Sequence, residues 1–136
     1  MKKIDGISIA SDLKALQELH DFCESLKPKI ELGEQLHENI QLVLSEAATN
    51  AIVHGNENNP GKKVVIEVFS GDDKIVFTVS DEGQGFDPSS LPDPLSEENL
   101  LKQGGRGVFL IEQFADEVEY RNEGSTVVLT FNRKAE

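Results

Sequence analysis

Glu46 and Asn50 stand four residues apart in a stretch with helical spacing, which puts both side chains on one helix face, a turn from each other. Their neighbours Val43, Leu44, Ala47, Ala48, Ala51 and Ile52 are small or aliphatic, so the polar pair lies in or beside an apolar surface. An asparagine amide oxygen is a hard, neutral ligand suited to Mg²⁺, and a carboxylate one turn away can polarise a water or hydroxyl beside the metal. The same spacing occurs on ordinary exposed helix edges, so the pair has to be weighed with what accompanies it.

Two glycine-containing runs accompany it. In Asp81-Glu82-Gly83-Gln84-Gly85-Phe86-Asp87 a carboxylate follows a β-rich run directly. Such a carboxylate can accept a hydrogen bond from an exocyclic amine, and glycines let the backbone approach a flat ring closely. An Asp-Gly turn is the simpler reading of that run taken alone. Gly104-Gly105-Arg106-Gly107 precedes Val108-Phe109-Leu110-Ile111, a helical pattern. Glycines opening a helix leave free N–H groups at its positive end, which suits phosphate, and Arg106 and Lys102 can add charge-assisted bonds. The dinucleotide fingerprint G-x-G-x-x-G and the Walker pattern are both absent.

These residues need elements to hold them. Ile4, Ile7 and Ile9 alternate with polar residues and predict a short strand over residues 3 to 10. Leu13, Leu16, Leu19, Phe22, Cys23 and Leu26 then recur at helical spacing, with Ser11 as the expected cap and Pro28 as the stop. A second helix is expected from about Glu34 to Val53, ending on Gly55 as a C-cap. Val64 to Phe69 and Lys74 to Ser80 read as a hairpin, and Glu117 to Arg121 with Ser125 to Phe131 as another. Between them, periodicity vanishes from Asp81 to Gly107 and resumes as a helix over Val108 to Ala115. A loop of that length in a small domain is usually functional.

The order is strand, two helices, hairpin, long loop, short helix, hairpin. It predicts an α/β two-layer sandwich, with helices on one face of a mixed, mostly antiparallel sheet. The chain has 136 residues, the size of one domain, and carries 13 Lys and Arg against 25 Asp and Glu, a net charge of −12. That balance argues against nucleic acid and anionic membranes as direct partners. No segment approaches the roughly 20 apolar residues of a membrane span. Cys23, the single cysteine, cannot form a disulfide within the chain, so a reduced cytoplasmic setting is expected.

Taken together, the three motifs resemble the ATP-binding fold, of Bergerat type, shared by histidine kinases, ATP-dependent heat-shock chaperones, type II topoisomerases and mismatch-repair ATPases. The N-box looks like Glu46-x-x-x-Asn50-Ala51-x-x-His54-Gly55-Asn56, and the two glycine boxes like Asp81-x-Gly83-x-Gly85 and Gly105-x-Gly107. Their order and the elements carrying them match as well. Within that superfamily the chain resembles the bacterial anti-sigma factor serine kinases over nearly its whole length, through His54-Gly55-Asn56, Gly85-Phe86-Asp87-Pro88 and the run Gly104 to Ile111.

The resemblance implies ATP and Mg²⁺ as cofactors, with Asn50 holding the metal against the triphosphate and Glu46 as general base toward a serine hydroxyl on a partner. Asp81 would bind the adenine amine, with Gly83 and Gly85 lining the base; Gly105, Arg106 and Gly107 would face the phosphates, and Thr126 would help hold adenine through water. The segment from Phe86 to Gln103 would be a lid that orders with nucleotide. His54 reads first as a turn residue, and Phe86 as packing for the lid base. Implied partners are a sigma factor and a small anti-anti-sigma protein of the STAS class, with the kinase a homodimer. Two departures stand out: Arg106 lies where sporulation-type proteins have an apolar residue, and Gln103 where they have an arginine. Two other functions share the same motifs: an ATP-sensing adaptor without phosphoryl transfer, and a detached ATP-binding module of a histidine kinase.

Overall fold

The computed structural model describes residues 1–83 and 110–132. Its strands are β1 (Lys2–Ala10), β2 (Lys63–Ser70), β3 (Lys74–Ser80), β4 (Glu117–Arg121) and β5 (Thr126–Asn132), and its long helices are α1 (Leu16–Lys29) and α2 (Glu34–Asn50). The strands form one sheet in the order β1-β2-β3-β5-β4. Every pairing in it is antiparallel, so among the described residues the sheet is not mixed. Short turns join β2 to β3 and β4 to β5, and the α1–α2 hairpin joins β1 to β2; each returns the chain antiparallel to its neighbour, while β3 and β5 pair across a longer connection that contains β4.

Register decides which face is core. Val64, Ile66 and Val68 of β2 are buried, and the residues paired with them across β3 and β5 place Phe77, Val79, Val127, Leu129 and Phe131 on the same side. Helices α1 and α2 cover that side through Leu19, Phe22, Leu26, Ile40, Val43, Leu44 and Ala48. The core is aliphatic apart from a few phenylalanines, and Phe77 meets Phe131 edge to face at 5.8 Å. His37 of α2 is buried, and its Nε2 lies 3.2 Å from the Cys23 carbonyl of α1, which ties the two helices together.

Three boundaries differ from expectation. Ser11 is not the helix cap: Asp12 caps a 3₁₀ turn, Leu13–Ala15, by accepting the Lys14 N–H at 2.9 Å. Pro28 lies inside α1, where its missing N–H deletes one bond near the end while the Ile30 N–H still reaches Leu26. Gly55 is not a left-handed cap, since the chain leaves α2 through a π turn, Ala51–Gly55, closed by the Asn56 N–H on the Ala51 carbonyl at 2.8 Å.

Phe77 is fully buried on the core face, so Phe77→Ala is expected to cost about 3–5 kcal/mol in urea unfolding.

Candidate functional site

The site is assembled where the π turn after α2 meets the end of β3. Asn50 is the last residue of α2, and Glu46 sits one turn earlier; both are half-buried. The wider π turn then carries the backbone to Gly55, which packs directly on the carboxylate of Asp81. A Cβ added to Gly55 would lie 2.3 Å from Asp81 Oδ2. A side chain at this position would displace the Asp81 carboxylate.

Asp81 is held from several sides. Its N–H donates to the Ser125 carbonyl at 2.8 Å, which fixes the end of β3 against the turn before β5. Its Oδ1 accepts the Gly83 N–H at 2.8 Å. Gly83 in turn lies so near Gly55 that a Cβ on it would meet the Gly55 carbonyl oxygen at 1.8 Å. Burial pushes the Asp81 carboxyl above the ordinary aspartate value of 3.8, opposed by the Gly83 N–H and the Lys62 charge.

Asn50 and Asp81, from separate elements, line one cavity with Ala47, Ala51, Val79, Ile111, Tyr120, Gly124, Ser125 and Val127. Its walls are mainly apolar, and its inner volume of about 20 Å³, open to solvent on one side, has room for a polar substituent or a water. Among the described residues no group of three or more His, Cys, Asp or Glu could hold a metal. The neutral amide oxygen of Asn50 is of the ligand type that Mg²⁺ accepts, since that ion keeps waters and binds through one or two protein oxygens plus phosphates.

Glu46 and Thr126 are not among the residues lining this cavity. The Thr126 hydroxyl lies 3.0 Å from the Ser80 hydroxyl and accepts from Asn122 at 3.2 Å, on the sheet face opposite Val127. His54 is exposed on the π turn, as a turn residue would be. Gly85, Gly105, Arg106 and Gly107, with Lys102, Gln103 and Phe86, lie outside the described residues. Sequence reasoning missed the packing role of Gly55 and the cavity-lining Ser125 and Tyr120; the adjacency of His54-Gly55-Asn56 to the Asn50 helix was the one available hint.

An antiparallel sheet covered on one face by helices, with a carboxylate at the end of a central strand and an asparagine at a helix end lining one cavity, makes an α/β sandwich of the architecture the motifs suggest. The model of the histidine kinase-like ATPase domain matches residues 9–131. The anti-sigma F factor of Oceanobacillus iheyensis is 41% identical over 96 residues, 67% of this chain and 66% of that protein. The anti-sigma F factor of Bacillus cytotoxicus is 42% identical over 96 residues, with the same coverage. The serine-protein kinase RsbW of Listeria monocytogenes is 31% identical over 100 residues, 68% of this chain and 64% of that protein. The chain spans slightly less than two thirds of the length of these relatives. It belongs to the histidine kinase-like ATPase domain family.

Two outcomes follow from the packing around Asp81. Gly83→Ala forces the Gly55 backbone to move, and should lower stability by about 1–3 kcal/mol in thermal or urea unfolding. Because folding raises the Asp81 pKa, its contribution favours the folded state below 3.8 and is lost as pH rises through the raised value. Wild type should therefore lose stability relative to Asp81→Asn over that rise, measured by paired urea titrations. A difference independent of pH would mean that burial does not disfavour the carboxylate.

Proposed function

We propose that the chain binds Mg·ATP and transfers its γ-phosphoryl group to a serine of a partner protein. The observation that carries this reading is the convergence of Asn50 and Asp81 on one cavity. In it, the Asp81 carboxylate accepts a hydrogen bond from the adenine amine, and the rest of the base lies toward the open side of the cavity. Asn50 contributes its amide oxygen to Mg²⁺, and bound Mg²⁺ offsets the negative charge of the triphosphate. Gly83 leaves room beside the base. Gly85 lines the base beside it, and Gly105, Arg106 and Gly107 face the phosphates.

Glu46 then takes the proton from the serine hydroxyl as its oxygen bonds to the γ-phosphorus and the bond to the β-phosphate oxygen breaks, releasing ADP. The proposed setting is the bacterial cytoplasm. There the chain acts as a homodimer that binds a sigma factor and phosphorylates a STAS-type anti-anti-sigma protein, so that its own capture is prevented. The names of the relatives, anti-sigma F factor and serine-protein kinase RsbW, support this assignment. Among the described residues no helix is long and apolar enough to cross a membrane.

Glu46→Gln should leave ATP affinity nearly intact while cutting phosphoryl transfer by roughly 10² to 10⁴, read as phosphoserine in lysate of the native host supplied with the protein and Mg·ATP. Transfer undiminished in that variant would remove Glu46 from the chemistry. Nucleotide binding with no new phosphoserine in wild type would favour an ATP-sensing adaptor, and an acid-labile product would favour a histidine kinase module. Asn50→Ala should abolish the Mg²⁺-dependent part of ATP affinity in calorimetric titration. An unchanged Mg²⁺ dependence would remove Asn50 as the ligand.

A further inference from the structure

Asn56 is 1% exposed, and its side chain is bonded in three directions. Its Nδ2 donates to Ser11 Oγ at 2.6 Å and to the Lys63 carbonyl at 3.0 Å. Its Oδ1 accepts the backbone N–H of Glu82 at 2.8 Å. Ser11, also 1% exposed, follows β1, and its N–H donates to the Lys62 carbonyl at 3.1 Å. Glu82 closes the ring by accepting the Lys63 N–H on its own carboxylate. One amide thus joins the end of β1, the start of β2, the end of the π turn and the residue after Asp81.

The direction of these bonds matters. Asp81 and Gly83 flank Glu82, so the bond that fixes the Glu82 N–H also fixes the short arm carrying the carboxylate. The same arm is pressed on Gly55, the residue before Asn56, with no room for a Cβ on either glycine. The π turn therefore grips Asp81–Gly83 twice, once by steric contact at Gly55 and once by the amide of Asn56. Buried and saturated with partners, that amide has one arrangement in which all its bonds are made.

We infer that Asn56 is a positioning residue for base recognition: it sets where the Asp81 carboxylate stands relative to the cavity it shares with Asn50. This rests on the reading of Asp81 as the adenine-binding group. A carboxylate accepts from the adenine amine and repels the carbonyl that guanine carries at the same ring position. Misplacing it therefore erodes the preference for ATP over GTP, beyond any loss of stability.

The test measures Kd for Mg·ATP and Mg·GTP in the full chain, wild type and variant, at a temperature where circular dichroism shows each folded. Asn56→Asp keeps the acceptor for Glu82 but sets an oxygen against the Lys63 carbonyl. It should raise Kd for ATP about tenfold, the equivalent of one misaligned hydrogen bond, with a smaller change for GTP, so that the preference collapses. Ser11→Ala removes one of the anchors of Asn56 and spares the bond to Glu82. It should lower the preference by a smaller factor, and it decides the matter if Asn56→Asp does not fold. A preference for ATP that persists unchanged in the folded variants, with only the melting temperature lowered, overturns the inference and leaves the nucleotide reading intact. Wild type that binds both nucleotides alike, or neither, defeats the reading of Asp81 itself.

Discussion

A carboxylate at the rim of an apolar core is costly unless the chain around it is fixed, and Asp81 is the residue on which the arrangement turns. Burial disfavours its charge; the Gly83 N–H and the nearby Lys62 charge offset part of that cost. The close packing of Gly55 and Gly83 and the bond from the Asp81 N–H to the Ser125 carbonyl hold the arm that carries it. The end of β3, the turn before β5 and the exit of α2 are thereby brought to one place. A group kept partly desolvated and rigid is suited to recognising a single polar substituent, at some expense in stability.

The rest of the fold serves this meeting point. The antiparallel sheet gives β3 neighbours on both sides, so its end is a fixed platform. Helix α2 lies across the core face with Val43, Leu44, Ala47 and Ala48 buried, which leaves Glu46 and Asn50 half-buried at its border. The widening of the helix into a π turn after Asn50 is what lets Gly55 and Asn56 reach the Asp81 arm. A regular α-helix ending on a left-handed glycine would direct the chain differently.

Much of this was legible in the sequence where burial is periodic. The β-branched and aromatic runs of β2, β3 and β5, bounded by turn residues, and the 3.6-period runs of α1 and α2 mark strands and helices near their observed limits. Glu46 and Asn50 could be singled out as polar residues in apolar company, and Asp81 as a carboxylate at the end of a β-rich run beside glycines. The π turn was not legible, since one extra residue per turn leaves no mark on the hydrophobic pattern. Nor was the buried role of Asn56 and Ser11: in a polar loop, asparagine and serine read as solvent-facing turn or cap residues, and only tertiary contact reveals that they pair with each other. For Thr126, the position in β5 was read correctly, but the pleat carries its hydroxyl to the face opposite Val127.

The central claim, that one nucleotide is held between Asn50 and Asp81, is tested most directly by a crystal structure with Mg²⁺ and a non-hydrolysable ATP analogue. The expected result is an adenine amine within hydrogen-bond distance of the Asp81 carboxylate, with Mg²⁺ at roughly 2.1 Å from the Asn50 amide oxygen. A nucleotide seated elsewhere, or a metal with no bond to Asn50, would contradict it.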